Sequence, residues 1–303
     1  MTITVNPDDE KYLAEYNKGF DFSAANAGVL DLSQLPIEIA VQQIDQYPNE
    51  AYALIRKDGL GGSDASSVLG VSPYTTRQQL VEEKCRDHLT KDEKAIGLKD
   101  SVRKGADLEP MVISKVAEIL GKRIIKPVDM YAMKDFPWLK INYDGIVDKE
   151  FTEGDKYVYI PAEMKVCTTF GFKHYDFKKA WFQEGIGFLS MPENFGLSTM
   201  NTIQTKAAQY GIPPYYYTQV QQQIMGANAP FGYLCVIFER DWRVYIFVIW
   251  RDDVVIQNLI IESNKVWELI RRGRKPDFEM KLQDHIAKAI AAPVVEVPPY
   301  GTE

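Results

Sequence analysis

Three segments between residues 122 and 167, "KRIIKPVDMYAM", "WLKINYDGIV" and "KYVYIPAEMKVC", are rich in β-branched and aromatic residues and are separated by turn signals. They read as strands. Helical periodicity lies on both sides of them. Before the strands come "PIEIAVQQIDQY", "NEAYALIRKDG" (stopped by Gly59), "TTRQQLVEEKCRDHL", which looks capped, and "SVRKGADLEPMVISKVAEILG", which Pro110 either restarts or kinks. After them, "PPYYYTQVQQQIMG" has Pro at its start and Gly at its end, as a helix should. "GYLCVIFER" and "WRVYIFVIW" predict a hairpin turning at Arg240–Asp241–Trp242, and "DDVVIQNLIIESNKVWELIRRG" a long helix. Strands enclosed by helices in this order predict an α/β fold. No repeat or linker-like break divides the chain. The expected layout is an N-terminal extension over 1–49, a core over 50–275 with an insertion near 170–212, and a tail over 276–303.

Composition narrows the function classes. With 303 residues, 46% of them hydrophobic, a large buried core is available. The 35 basic and 42 acidic residues leave a net charge of −7, which argues against a protein that coats polyanions but allows a local basic groove. Cys85, Cys167 and Cys235 are far apart and form no CxxC, so neither a disulfide framework nor a zinc or iron–sulfur site is expected. That usage fits a reducing cytoplasm. The start "MTITVNPDDEKYLAEYNK" does not look like a secretory leader, and no apolar run approaches membrane-spanning length.

Several charged residues sit where apolar ones would be ordinary. In "IPAEMKVC" the two-residue strand period puts Glu163 and Lys165 on one face, with Met164 and Val166 on the other. A surface ion pair on a half-exposed strand explains them as well as a catalytic site does. Asp144 ends the apolar run of "WLKINYDG", as either an Asp-Gly turn or a site residue. Glu109 lies four positions before Ile113, on the helix stripe that continues through Val116 and Leu120. It is either a helix-end carboxylate near solvent or a group aimed inward. Should the three carboxylates and the lysine converge, a cation would have to offset their mutual repulsion. Oxygen ligands without His or Cys favour Mg²⁺ or Mn²⁺.

The stretch "IRKDGLGGSDASSVLG" poses the same choice. A glycine-rich turn entering a helix gathers N–H groups that suit a phosphate. Helix capping by Ser63 or Asp64, after Gly59 ends the preceding helix, accounts for it equally.

Taken together, R-x₆-S within a "GGSDA" turn, then "LEP", "YDG", "EMK" and "YYYTQVQQQ", resemble the phage lambda-type exonucleases. These form the YqaJ-like viral recombinase family of the PD-(D/E)xK nuclease superfamily, and the resemblance covers roughly residues 50 to 270. It implies a restriction-endonuclease-like core, a mixed central sheet flanked by helices. It implies Glu109, Asp144 and Glu163 as acidic metal-site residues, with the Met164 carbonyl as a further ligand of Mg²⁺, for which Mn²⁺ could substitute. Lys165 becomes the catalytic lysine, Gln219 the helix glutamine beside the site, and Arg56 with Ser63 the grip on a DNA 5′-phosphate. Asn142, two residues before Asp144, stands where some relatives carry a serine. The implied activity is 5′-to-3′ digestion of one strand at double-stranded DNA ends, leaving a 3′ overhang. The implied partners are a single-strand annealing protein and copies of the chain itself, as a ring trimer or tetramer, in a bacterial host. Two rivals use the same residues: a structure-specific or nicking endonuclease, and a non-catalytic scaffold that binds DNA ends.

Overall fold

The computed structural model describes residues 30–94, 100–147, 152–153, 156–157, 159–168, 171–190 and 202–292. The chain begins with β1 (Ile37–Val41), a 3-10 turn at Ile44–Gln46 and α1 (Asn49–Ile55). A second 3-10 turn, Gly62–Asp64, runs into α2 (Ala65–Val68), followed by α3 (Arg77–Cys85), α4 (Lys91–Lys94) and α5 (Asp100–Leu120). Next come β2 (Ile124–Ile125), β3 (Met130–Met133), β4 (Lys140–Ile141), β5 (Gly145–Val147), the short pair β6 (Thr152–Glu153) and β7 (Lys156–Tyr157), and β8 (Ile160–Cys167). Short turns lead to β9 (Phe182–Gln183) and β10 (Gly187–Phe188), then α6 (Ile203–Tyr210), α7 (Pro214–Ala227), β11 (Phe231–Phe238), β12 (Arg243–Trp250), α8 (Asp253–Gly273) and α9 (Phe278–Ala291).

The main sheet runs β10-β9-β12-β11-β8-β5-β2 and is mixed. β8 and β11 pair in parallel, with Glu163 opposite Leu234 and Lys165 opposite Val236. β12 and β5 flank this pair antiparallel. Every residue of β11 is buried, as expected of a strand covered on both faces. Helices α5 and α7 pack on β8 and β11, and Gly232 lets α7 approach: a Cβ there would lie 3.0 Å from Val220 Cγ1. The architecture is therefore the expected α/β fold, a mixed sheet flanked by helices.

The sequence expectations need four corrections. "PIEIAVQQIDQY" is no helix. Ile37, Ile39 and Val41 alternate with a period of two, and β1 pairs antiparallel with β3, burying Ile37 completely. Part of the expected N-terminal extension thus belongs to the fold, while residues 1–29 lie outside the described residues. Both "KRIIKPVDMYAM" and "WLKINYDGIV" split in two, since β2 and β5 join the main sheet whereas β3 and β4 join β1 in a small second sheet. Finally, the expected tail contains α9. Its Phe278, Leu282, Ile286 and Ala289 form a satellite core with Ala51 and Leu54 of α1 and with Leu89. Residues 293–303, and 191–201 of the expected insertion, lie outside the described residues.

Local expectations meet mixed outcomes. Thr76 caps α3 by accepting from the Gln79 N–H, while the Gln79 side chain accepts from the Thr76 N–H; this is a capping box. Pro110 does not restart the helix as one reading of the sequence had it: α5 runs unbroken from Asp100 to Leu120 with Pro110 inside it. α7 starts at Pro214 but ends at Asn228 in the left-handed conformation. Gly226 sits inside α7, where a Cβ would meet Ile141 Cδ1 at 2.2 Å.

Candidate active site

The split of "WLKINYDGIV" creates the site. β5 pairs with β8 only as far as Gly145 opposite Ala162, whereas β11 continues beside β8 to Cys167. Beyond Ala162 the β5 edge of β8 meets Asp144, where the chain crosses from the small sheet to the large one. The Met164 N–H donates to Asp144 Oδ2 at 3.0 Å. A strand residue projects its N–H and C=O from the same edge, so the Met164 carbonyl faces this side too.

Glu163 and Lys165 share a face of β8, as their spacing predicts. The Lys165 ammonium forms an ion pair with Glu163 Oε1 and lies 3.5 Å from Asp144 Oδ2. Glu163 is 1% exposed, and α7 supplies its other partners. Gln219 donates to its Oε1 and Gln223, one turn later, to its Oε2, each at 2.5 Å. Burial, reinforced by Asp144, pushes the Glu163 carboxyl up to about 7 against the pull of Lys165 and Gln223. Burial works against the Lys165 charge, but Glu163 and Asp144 outweigh it and hold the ammonium well above the ordinary lysine range.

Glu109, on α5, lies near enough to Asp144 to feel its charge. Burial first, then Asp144, raises its pKa, and Lys126 opposes both with Nζ 2.6 Å from Glu109 Oε1. The same ammonium lies 3.9 Å from Asp45. Glu109, Asp144, Met164 and Lys165 all line one open hollow. Asp144, Glu163, Lys165 and Gln219 line a second, together with Arg56 and Ser63. The structure therefore brings the candidate site residues into two adjoining hollows, with Arg56, Asp144 and Lys165 common to both.

Among the described residues no three His, Cys, Asp or Glu side chains close into one metal-sized cluster. The acids instead form two pairs about Asp144, with Lys165 between Asp144 and Glu163 and Lys126 on Glu109. Asn142 Oδ1 and Gln223 Oε1 are buried acceptors with no hydrogen-bond partner among the described residues. An all-oxygen set of this kind fits a hard divalent cation better than a soft one.

In the glycine-rich turn, Arg56 Nη2 donates to Ser63 Oγ at 2.5 Å. Gly59 does not end a helix, because α1 stops at Ile55. It lets the chain pass against β4 instead, where a Cβ would lie 2.4 Å from Lys140 Cγ. Asp64, rather than Ser63, organises the turn. It accepts from the Gly61 N–H at 2.9 Å and pairs with the buried Lys84, which also donates to the Arg56 carbonyl. The Gly61 N–H is thereby spent on Asp64, while Arg56 and Ser63 line the hollow with Gly62.

Sequence reasoning missed Gln223, Lys126 and Tyr52. Gln223 had a readable signal, since it lies one helical turn from Gln219. Tyr52 likewise precedes Arg56 by four; its hydroxyl accepts from Asn142 Nδ2 at 2.9 Å, and Arg56 lies over its ring. Lys126 had no local signal.

The description of the family model that matches residues 51–230 is "YqaJ-like viral recombinase domain". No curated protein matches the sequence. Among solved structures, the chain is similar to an alkaline exonuclease from Laribacter hongkongensis, with a TM-score of 0.45 and 16% identity over 77% of this chain and 95% of that one. It is similar too to that exonuclease in complex with dAMP, with a TM-score of 0.45 and 15% identity over 78% and 95% of the two chains.

Proposed function

Because the chain belongs to the YqaJ-like viral recombinase family, we propose that it is a divalent-cation-dependent deoxyribonuclease that digests one strand of linear duplex DNA from its 5′ end. The product would be a 3′ overhang, the substrate of a strand-annealing partner in phage-type recombination. The observation that carries this reading is the convergence of Glu109, Asp144, Glu163 and Lys165 beside Arg56 and Ser63.

Asp144, Glu163, Glu109 and the Met164 carbonyl are the groups that would hold Mg²⁺ or Mn²⁺. Such an ion supplies Lewis acidity toward a phosphate oxygen and lowers the pKa of water. Gln219 and Gln223 fix both oxygens of Glu163, so its position does not depend on the ion. Lys165, held between two carboxylates, orients the attacking water and offsets the negative charge that develops on the phosphate. Arg56 and Ser63 seat the phosphate of the strand end, which sets the register of each cut.

Digestion of linear duplex alongside the same DNA as a covalently closed circle tests this reading. The linear form should be degraded and the circle left intact. Cleavage of the circle would favour the endonuclease, and binding of ends without cleavage would favour the scaffold.

The phosphate seat has its own test. Arginine's planar fork pairs bidentately with phosphate, and a charge-assisted hydrogen bond contributes about 1.5–3 kcal/mol. Arg56→Ala should therefore shrink the rate preference for 5′-phosphorylated over 5′-hydroxyl ends by about one to two orders of magnitude. An undiminished preference in the folded variant would reduce the stretch to a structural turn.

A chain with a net charge of −7 that stays on DNA through many cycles needs enclosure or a concentrated basic lining more than bulk attraction. Enclosure favours a ring, and the resemblance to the lambda-type exonucleases prefers a trimer, with a tetramer possible. Light scattering that gave a monomer during processive digestion would contradict it.

A further inference from the structure

Next to the two hollows at the carboxylates lies a third, of about 550 Å³, lined by Arg56, Ser63 and Gln219 and by Tyr74, Tyr215 and Tyr216. Its size falls in the range of small-ligand pockets, roughly 300–1,000 Å³. We propose that this hollow seats the base of the strand's terminal nucleotide, stacked on Tyr74 and Tyr215, while the phosphate rests on Arg56 and Ser63. This rests on the nuclease reading above and adds to it a nucleobase subsite.

Tyr74 is 75% exposed, so its ring serves no core. A single exposed tyrosine is ordinary, but this one is built into a wall. Its ring meets Tyr215 edge-on with centroids 5.4 Å apart, and its N–H donates to Ser72 Oγ, which fixes the loop. Tyr215 in turn lies 4.5 Å from Tyr216, whose ring centroid is 5.6 Å from Lys165 Nζ. Aromatic rings thus lead from solvent to the lysine of the candidate active site.

The charges in this hollow favour a base over a second phosphate beside the tyrosines. Lys57 is committed to Glu93 and Lys84 to Asp64, which leaves π faces and hydroxyls opposite Arg56. Stacking tolerates any base, as an enzyme that advances through arbitrary sequence requires.

The test is binding, measured by fluorescence anisotropy without divalent cations so that nothing is cut. The probes are two 5′-phosphorylated single-stranded oligonucleotides, identical except that one has an abasic first nucleotide. Wild-type protein should bind the abasic probe roughly 5- to 150-fold more weakly, the span that base–aromatic stacking gives. Tyr74→Ala should bind both probes alike, and Tyr74→Trp should restore the difference. Equal binding of both probes by wild type, or an unchanged difference in Tyr74→Ala, overturns the subsite. A protein that discriminates the probes yet cuts no linear DNA with Mg²⁺ would sink the nuclease reading and leave the platform. One that cuts normally while ignoring the base would do the reverse.

Discussion

Lys165→Ala should lower the rate of phosphodiester cleavage by about 10²–10⁴-fold, the usual cost of losing one positioned catalytic group, while the protein stays folded. The fold should survive because Glu163, the buried member of the pair, keeps its hydrogen bonds to Gln219 and Gln223. Its carboxyl, already pushed up to about 7, can also take a proton once the ammonium is gone. The side chain that is lost is itself 24% exposed. Initial rates on linear duplex, together with a thermal melt of each protein, check both halves of the expectation. Near-normal turnover in the variant would rule out the assigned site.

Asp252→Ala should instead strike stability, by about 3–5 kcal/mol, because it breaks a buried ion pair from one side. Asp252 is 1% exposed and Lys206 4% exposed, with Nζ and Oδ2 2.6 Å apart. The same oxygen accepts from the Tyr217 hydroxyl at 2.8 Å, and Oδ1 caps α8 through the Val255 N–H. One carboxylate therefore ties α6, α7 and α8 together, and α7 carries the glutamines that hold Glu163. Its removal leaves an ammonium and a phenol buried without their acceptor. Denaturant unfolding should show the loss, and replacing both Asp252 and Lys206 with apolar residues should cost less than the single change. A loss below about 1 kcal/mol for Asp252→Ala would mean that solvent reaches the pair.

Glu163 and Lys165 could be read from sequence because a two-residue period fixes which side chains share a strand face. The capping box of α3 and the proline at the start of α7 were legible for the same reason: each is decided within a few residues. Segment 37–44 was not, since its apolar residues satisfy the strand alternation and the helical i, i+4, i+7 spacing alike. Only the pairing with β3 selects the strand. The position of Asp144 was legible as a turn but not as the crossing between two sheets, because apolar residues flank it on both sides in "WLKINYDGIV" and the two halves differ only in their partners. Lys126, which follows β2, reaches back to Glu109 in α5, and Gln223 meets a strand 60 residues away. No local pattern encodes the first contact. The second was half visible, as the helical neighbour of Gln219.

The most direct test of the central claim is digestion of a linear duplex labelled separately at each 5′ and 3′ terminus, with Mg²⁺ and with chelator. Phosphodiester hydrolysis at a metal site built on Asp144 and Glu163, entered from a gripped 5′-phosphate, predicts early release of 5′ label as mononucleotide. The 3′ label should persist on shortening strands, and neither label should be released in chelator. Release that continues undiminished in chelator, or 3′ label freed first, would contradict the account.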